Sequence, residues 1–98
     1  MIVVRNVFQL KFGKAKDAKA LIKDHLDLMK KYGHPMPRFM TDVTGEFYTL
    51  IMELSYDNLS TFEKSSSEVM GAKEFDQWYQ KFVPLVQSGH REIYSILN

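Results

Sequence analysis

The sequence has no cysteine. Disulfides, thiolate metal sites and cysteine nucleophiles are therefore excluded, and the composition fits a reducing compartment. Nor does it carry an excess of either charge: 13 basic and 12 acidic residues leave a net +1. Overall charge gives no electrostatic case for nucleic acid or anionic lipid. No apolar run approaches the roughly 20 residues that a bilayer-spanning helix needs. The apolar start gives way at once to Arg5 and Asn6, without the basic start, long apolar stretch and cleavage site of a signal peptide. The expectation is a cytoplasmic protein that does not engage membranes. Three chemical signatures are also missing. Ser65, Ser66 and Ser67 lack a Gly-x-Ser-x-Gly context, there is no phosphate-binding glycine loop, and His25, His34 and His90 lack metal-ligand spacing. No metal and no cofactor are expected.

What is present points to one domain spanning residues 1–98. The hydrophobic fraction is 45% and the aromatic fraction 13%, enough for a packed core. A chain this short buries a limited share of its surface alone, so part of that apolar surface is expected in a partner. The lysines between Lys11 and Lys31 are interleaved with Asp17, Asp24 and Asp27. That pattern reads as a solvated helix face, not a phosphate-binding stripe.

Residues 2–12 alternate as a strand. Ile2, Val4, Asn6, Phe8, Leu10 and Phe12 share one face, and Val3, Arg5, Val7, Gln9 and Lys11 the other. Residues 14–32 have helical period, with Ala18, Leu21, Ile22, His25, Met29 and Tyr32 on one arc and the lysines opposite. Gly33, Pro35 and Pro37 stop this helix. Residues 38–43 read as a short strand, Thr44-Gly45 as a hairpin turn and residues 46–56 as another strand. Asn58 caps a helix over 59–70 whose inner arc holds Leu59, Phe62, Ser66, Val69 and Met70. Gly71 interrupts it. A further segment over 72–83 turns Phe75, Trp78, Tyr79, Phe82 and Val83 inward before Pro84 and Gly89 end it. Residues 90–97 form the last strand.

This βαββαβ order specifies an α+β, ferredoxin-like fold: a four-stranded antiparallel sheet with two helices on one face. The other sheet face carries Val3 and Val7 and is half apolar. Monomers rarely expose such a patch, so a homodimer through the open sheet face is expected.

In element order and length the whole chain resembles the dimeric α+β barrel superfamily. That superfamily includes antibiotic-biosynthesis-type monooxygenases, heme-degrading monooxygenases and NIPSNAP-like proteins. The stretch Asn6, Phe8, Leu10, Gly13, Ala15-Lys16-Asp17 is similar to the first strand and helix entry of heme-degrading members. Residues 75–86, FDQWYQKFVPLV, look more like NIPSNAP-like relatives. Heme-degrading members pair the strand asparagine with a tryptophan and an iron-binding histidine. Here Lys64, Ser65 or Ser66 matches the tryptophan and Tyr79 falls near the histidine. Only Asn6 carries over, so the resemblance does not extend to heme degradation.

The polar exceptions on apolar faces mark the candidate site. Asn6 is the one polar side chain on the helix-facing side of the first strand. Burying an unpaired amide costs a few kcal/mol, so it needs hydrogen-bond partners or a ligand. His25 sits mid-arc on the first helix, either as a core residue or as a general base near neutral pH. Trp78 and Phe62 are core residues or walls for a flat substrate. Ser66 is a gap in the second helix's inner arc, over a cavity or back-bonded to its own helix. Tyr79 is a second candidate for moving a proton. Arg38, Arg91, His34 and His90 are read as lying at strand ends or loops.

Two functions remain open. One is a cofactor-independent monooxygenase-type enzyme acting on a small aromatic or polyketide-like compound. In that reading Asn6 orients a substrate oxygen, His25 or Tyr79 moves a proton, and Trp78, Phe62 and Ser66 line the substrate. The other is a non-catalytic dimeric module that binds a small aromatic ligand or a protein, favoured by the lack of a clearly spaced acid–base pair. Nucleic-acid binding is the weakest reading, because the aromatics lie on helix-facing arcs and not among the lysines.

Overall fold

A computed structural model describes residues 1–98. β1 (Ile2–Leu10) leads into α1 (Ala15–Lys31), followed by β2 (Arg38–Thr41), β3 (Thr49–Tyr56), α2 (Leu59–Gly71) and α3 (Lys73–Phe82). A single 3-10 turn, Val83–Leu85, then feeds β4 (Val86–Ser95). The four strands form one antiparallel sheet in the order β2-β3-β1-β4. The fold is the expected α+β, ferredoxin-like arrangement, with the second helical region divided in two.

Local chemistry sets most boundaries. At the end of α1, Gly33 takes φ +70°. The His34 N–H donates to the Met29 carbonyl and the Gly33 N–H to the Lys30 carbonyl. This is the double closure of a Schellman ending, and it needs a left-handed residue at Gly33. Asn58 caps α2 by accepting from the Thr61 N–H at 2.9 Å. The break between α2 and α3 lies at Ala72, whose backbone is extended (φ −87°, ψ 128°).

Strand ends fall two residues short of the expected ones in β1, β2 and β4, and two strand starts differ by more. β3 starts at Thr49, not at residue 46, because Tyr48 has φ +58° and cannot continue an extended strand. β4 starts at Val86 instead of residue 90, and Gly89 lies inside it opposite Phe8. The Phe8 ring and the Val7 carbonyl both stand 3.2 Å from where a Gly89 Cβ would be. Gly89 thus marks a close approach within a strand and not a chain break. The extra residue, Gln87, is absorbed by a register shift between Gln9 and Leu10.

The core lies between sheet and helices but is split. One cluster joins Val4, Leu54 and Tyr56 to Met29, Phe62 and Phe75. The other joins Leu10 and Leu50 to Ala18 and Phe82. The residues of β1 and β3 that separate them on the same face include Asn6 and its cross-strand partner Met52. Only 14 of 98 residues are buried, so a large apolar surface stays accessible on both sides of the sheet. On the outer face, Val3, Val7, Met40 and Ile51 are half-buried and Tyr94 is exposed. At its centre Glu53 accepts from Arg5 (Nη2, 2.9 Å) and Arg38 (Nη2, 2.6 Å). These two guanidinium groups hold the Glu53 carboxyl below the usual carboxylate range.

Candidate functional site

Four residues form a row across the helix-facing side of the sheet. Phe39 of β2 is opposite Met52 of β3, Met52 is opposite Asn6 of β1, and Asn6 is opposite Arg91 of β4. This row floors a cleft of about 750 Å³, roofed by α1, α2 and α3. The volume falls within the ~300–1,000 Å³ range of small-molecule sites. On the α2 side two small residues, Ser65 and Ser66, are part of its lining.

One end of the row is aromatic and closed. His25 of α1 packs edge-on against Trp78 (centroids 4.7 Å), Phe39 (5.5 Å) and Phe75 (5.9 Å). Trp78 stacks on Phe82 at 4.9 Å, and its Nε1 donates to the Leu21 carbonyl at 2.7 Å. These contacts fix the indole plane. His25 is 5% exposed, and its Nδ1 is buried without a hydrogen-bond partner. Burial pushes its pKa down to about 4, so the imidazole is neutral at pH 7. A base this weak takes little proton density from a substrate at neutral pH.

The other end is cationic. The Arg91 Nε donates to the Asn6 Oδ1 at 2.7 Å, and the guanidinium carbon lies 5.2 Å over the Phe62 ring. Asn6 is 7% exposed, and this contact gives its Oδ1 a partner. Between the two ends, Ser65 is 8% exposed and its Oγ is also unpartnered. Native proteins leave few such atoms unpaired, and each calls for an explanation.

The six residues singled out from the sequence, Asn6, His25, Phe62, Ser66, Trp78 and Tyr79, all line this cleft. Their depth differs from expectation. Tyr79 is 55% exposed and stands at the rim instead of inside. On α2 the buried serine is Ser65, while Ser66 is half-buried with its hydroxyl toward Met70 Sδ at 4.0 Å. Leu59, Met70 and Val83 were expected inward but are 52%, 80% and 45% exposed. The buried faces of α2 and α3 are narrower than the expected arcs, with Phe62 and Ser65 buried on α2 and Phe75 and Phe82 on α3. Arg91 and His90 are not at a strand end; they lie within β4, opposite Asn6 and Val7. Arg91 and Ser65 were missed as site residues. The Arg91, Ile93, Ser95 alternation was available in the sequence, but only the strand register sets Arg91 against Asn6.

A second, smaller groove of about 360 Å³ separates α1 from α3. Charges of both signs line it, and Lys31 pairs with Glu74 across it at 2.8 Å. Neither residue with a buried unpartnered polar atom lines it, so it is read as a solvated helix seam. No three His, Asp or Glu side chains converge in a metal-holding group. No helix is long and apolar enough to cross a membrane.

The NIPSNAP family model matches residues 4–98 of this chain. Among curated proteins none matches it in sequence. Solved structures are similar in fold. An uncharacterized NIPSNAP domain protein from Burkholderia xenovorans is 15% identical with a TM-score of 0.88, over 98% of this chain and 94% of that one. A NIPSNAP family protein from Agrobacterium tumefaciens is 13% identical with a TM-score of 0.87, over 95% and 82%. A proposed antibiotic biosynthesis monooxygenase from Nitrosomonas europaea is 11% identical with a TM-score of 0.77, over 100% of both chains. At these identities the likeness is one of fold.

Proposed function

This chain belongs to the NIPSNAP family, and from that premise we propose that it is a homodimeric protein that binds a small aromatic molecule between sheet and helices. One observation carries the reading. The cleft of about 750 Å³ has a mainly apolar lining, and two of its lining residues, His25 and Ser65, each hold a buried polar atom with no partner, His25 Nδ1 and Ser65 Oγ. Unpaired buried groups cost about 1–3 kcal/mol each, and both belong to residues that a ligand in the cleft would touch. Homodimerisation through the open sheet face is supported by Val3, Val7, Met40 and Ile51, which leave that face half apolar. Glu53 between its two arginines leaves the charged centre of the face internally paired.

Monooxygenase-type chemistry on a small aromatic substrate is the competing reading, supported by the fold shared with the Nitrosomonas europaea protein. The weak basicity of His25 and the exposed position of Tyr79 leave it without a good proton acceptor, so binding is the better-supported function. Trp78 is the single tryptophan and reports on the cleft directly. Titrating the protein with flat phenolic compounds should give a saturable change in its fluorescence. The change should disappear in Asn6→Ala and His25→Phe proteins that remain folded. A flat response to the whole panel would defeat the binding reading. Oxygenated product detected by mass spectrometry would replace it with the enzymatic one.

A further inference from the structure

The two ends of the cleft differ in charge, and the difference is specific enough to name a ligand class. Arg91 is the one lysine or arginine lining the cleft. It is in no ion pair: the salt bridges of the chain join Arg5, Lys14, Lys31, Arg38 and His90 to acidic groups. Asp76 also lines the cleft but is not paired with it. The guanidinium is nevertheless held in place, by Asn6 Oδ1 on its Nε and by the Phe62 ring, whose centroid lies 5.2 Å from its carbon. With Nε occupied, the two terminal nitrogens remain as a fork of donors suited to a planar carboxylate. At the far end, His25, Phe39, Phe75 and Trp78 offer aromatic edges and faces.

Deepening the binding reading above, and resting on it, we infer that the cleft takes an aromatic monocarboxylate, its ring among His25, Phe39 and Trp78 and its carboxylate on Arg91. The span fits. Phe39 and Arg91 lie three strand spacings apart, or about 14 Å at ~4.8 Å each, room for one or two rings and a carboxylate. The charge fits a monoanion. A single cation, with Asp76 on the same cleft, does not balance a phosphate dianion or a nucleotide. Solvation fits as well, because Arg91 is exposed. The charged group of the ligand stays near water while its ring enters the apolar end, avoiding the burial of an unpaired charge.

The test compares ligands that differ in charge alone. Wild-type protein is titrated with 4-biphenylcarboxylate and 2-naphthoate, and with the corresponding neutral amides, following Trp78 fluorescence. The acids should bind on the order of tenfold more tightly than their amides, and added salt should shrink the gap. In Arg91→Met the acids should lose their advantage and bind no more tightly than the amides. Arg91→Lys should recover only part of it, since ammonium lacks the fork. The wild-type comparison stands even if Arg91→Met fails to fold. Equal binding of acid and amide to the wild-type protein overturns the carboxylate assignment and leaves the binding reading intact. No binding of either overturns the carboxylate assignment too, and the binding reading then stands or falls with the phenolic panel.

Discussion

Arg91 and Asn6 face each other across neighbouring strands, and the Arg91 Nε donates to the Asn6 Oδ1 at 2.7 Å. The contact joins the central strand to an edge strand through a buried amide, and it aims the cleft's only arginine. Asn6 was the conspicuous polar residue of the first strand; its partner is 85 residues away. Replacing Asn6 should therefore change both stability and recognition. Asn6→Leu removes the acceptor of a charged donor and should cost about 1.5–3 kcal/mol in urea unfolding. Asn6→Asp should instead leave the protein at least as stable, because it gives Arg91 an ion pair. It should also abolish any preference for carboxylates over amides. A carboxylate preference that survives Asn6→Asp would show that Arg91 is not the anchor.

His25 gives stability a dependence on pH. Its folded pKa is about 4 against an ordinary value of 6.5. Between these values the unfolded chain holds the proton and the folded chain does not. Stability is thus fully present above about pH 6.5, falls as pH drops through the window, and loses no more to this group below about pH 4. The 2.5-unit gap corresponds to about 3 kcal/mol. His25→Phe should flatten this limb. It should also be no less stable at pH 7, because it removes a buried nitrogen that has no partner. Urea unfolding from pH 7 to 4 checks both points. The stability that Glu53 contributes, its carboxyl held down by Arg38 and Arg5, should remain in the variant and be lost as pH falls through and below the usual carboxylate range.

The outer sheet face should govern association. Val7 lies beside Ile51, and Ile51 beside Met40, in one row across three strands. Sedimentation at micromolar concentration is expected to give a dimer for the wild-type chain. Val7→Lys places a charge in the middle of that row and should give a folded monomer. A wild-type monomer at micromolar concentration would remove the homodimer from the reading.

Gly89 should tolerate no side chain. A Cβ there meets the Phe8 ring and the Val7 carbonyl, each at 3.2 Å. Phe8 in turn packs edge-on against Phe82 at 5.0 Å. The ring has little freedom to retreat and the carbonyl less. Gly89→Ala should lower stability by about 1 kcal/mol or more, read as a lower midpoint in urea. An unchanged midpoint would mean that the strand can shift to accept it.

Alternation and helical period determined the element order, the antiparallel α+β fold and the polar exceptions Asn6 and His25. These patterns repeat over two to four residues, and burial of one face enforces them locally. The Asn58 cap and the Gly33 ending were legible for the same reason. Three other features required the tertiary structure. The strand register set Arg91 opposite Asn6, and register depends on pairing between segments far apart in the chain. The rotation of α2 put Ser65 inward and left Ser66 half-buried, a choice made by packing against the sheet and not by the helix alone. Gly89 falls inside a strand because it pairs with Phe8, 81 positions earlier, whose ring leaves no room for a Cβ there. Sequence by itself determined which residues are chemically out of place. Only the packed structure decided that they meet in one cleft, because that meeting is made of contacts between residues with no local relation.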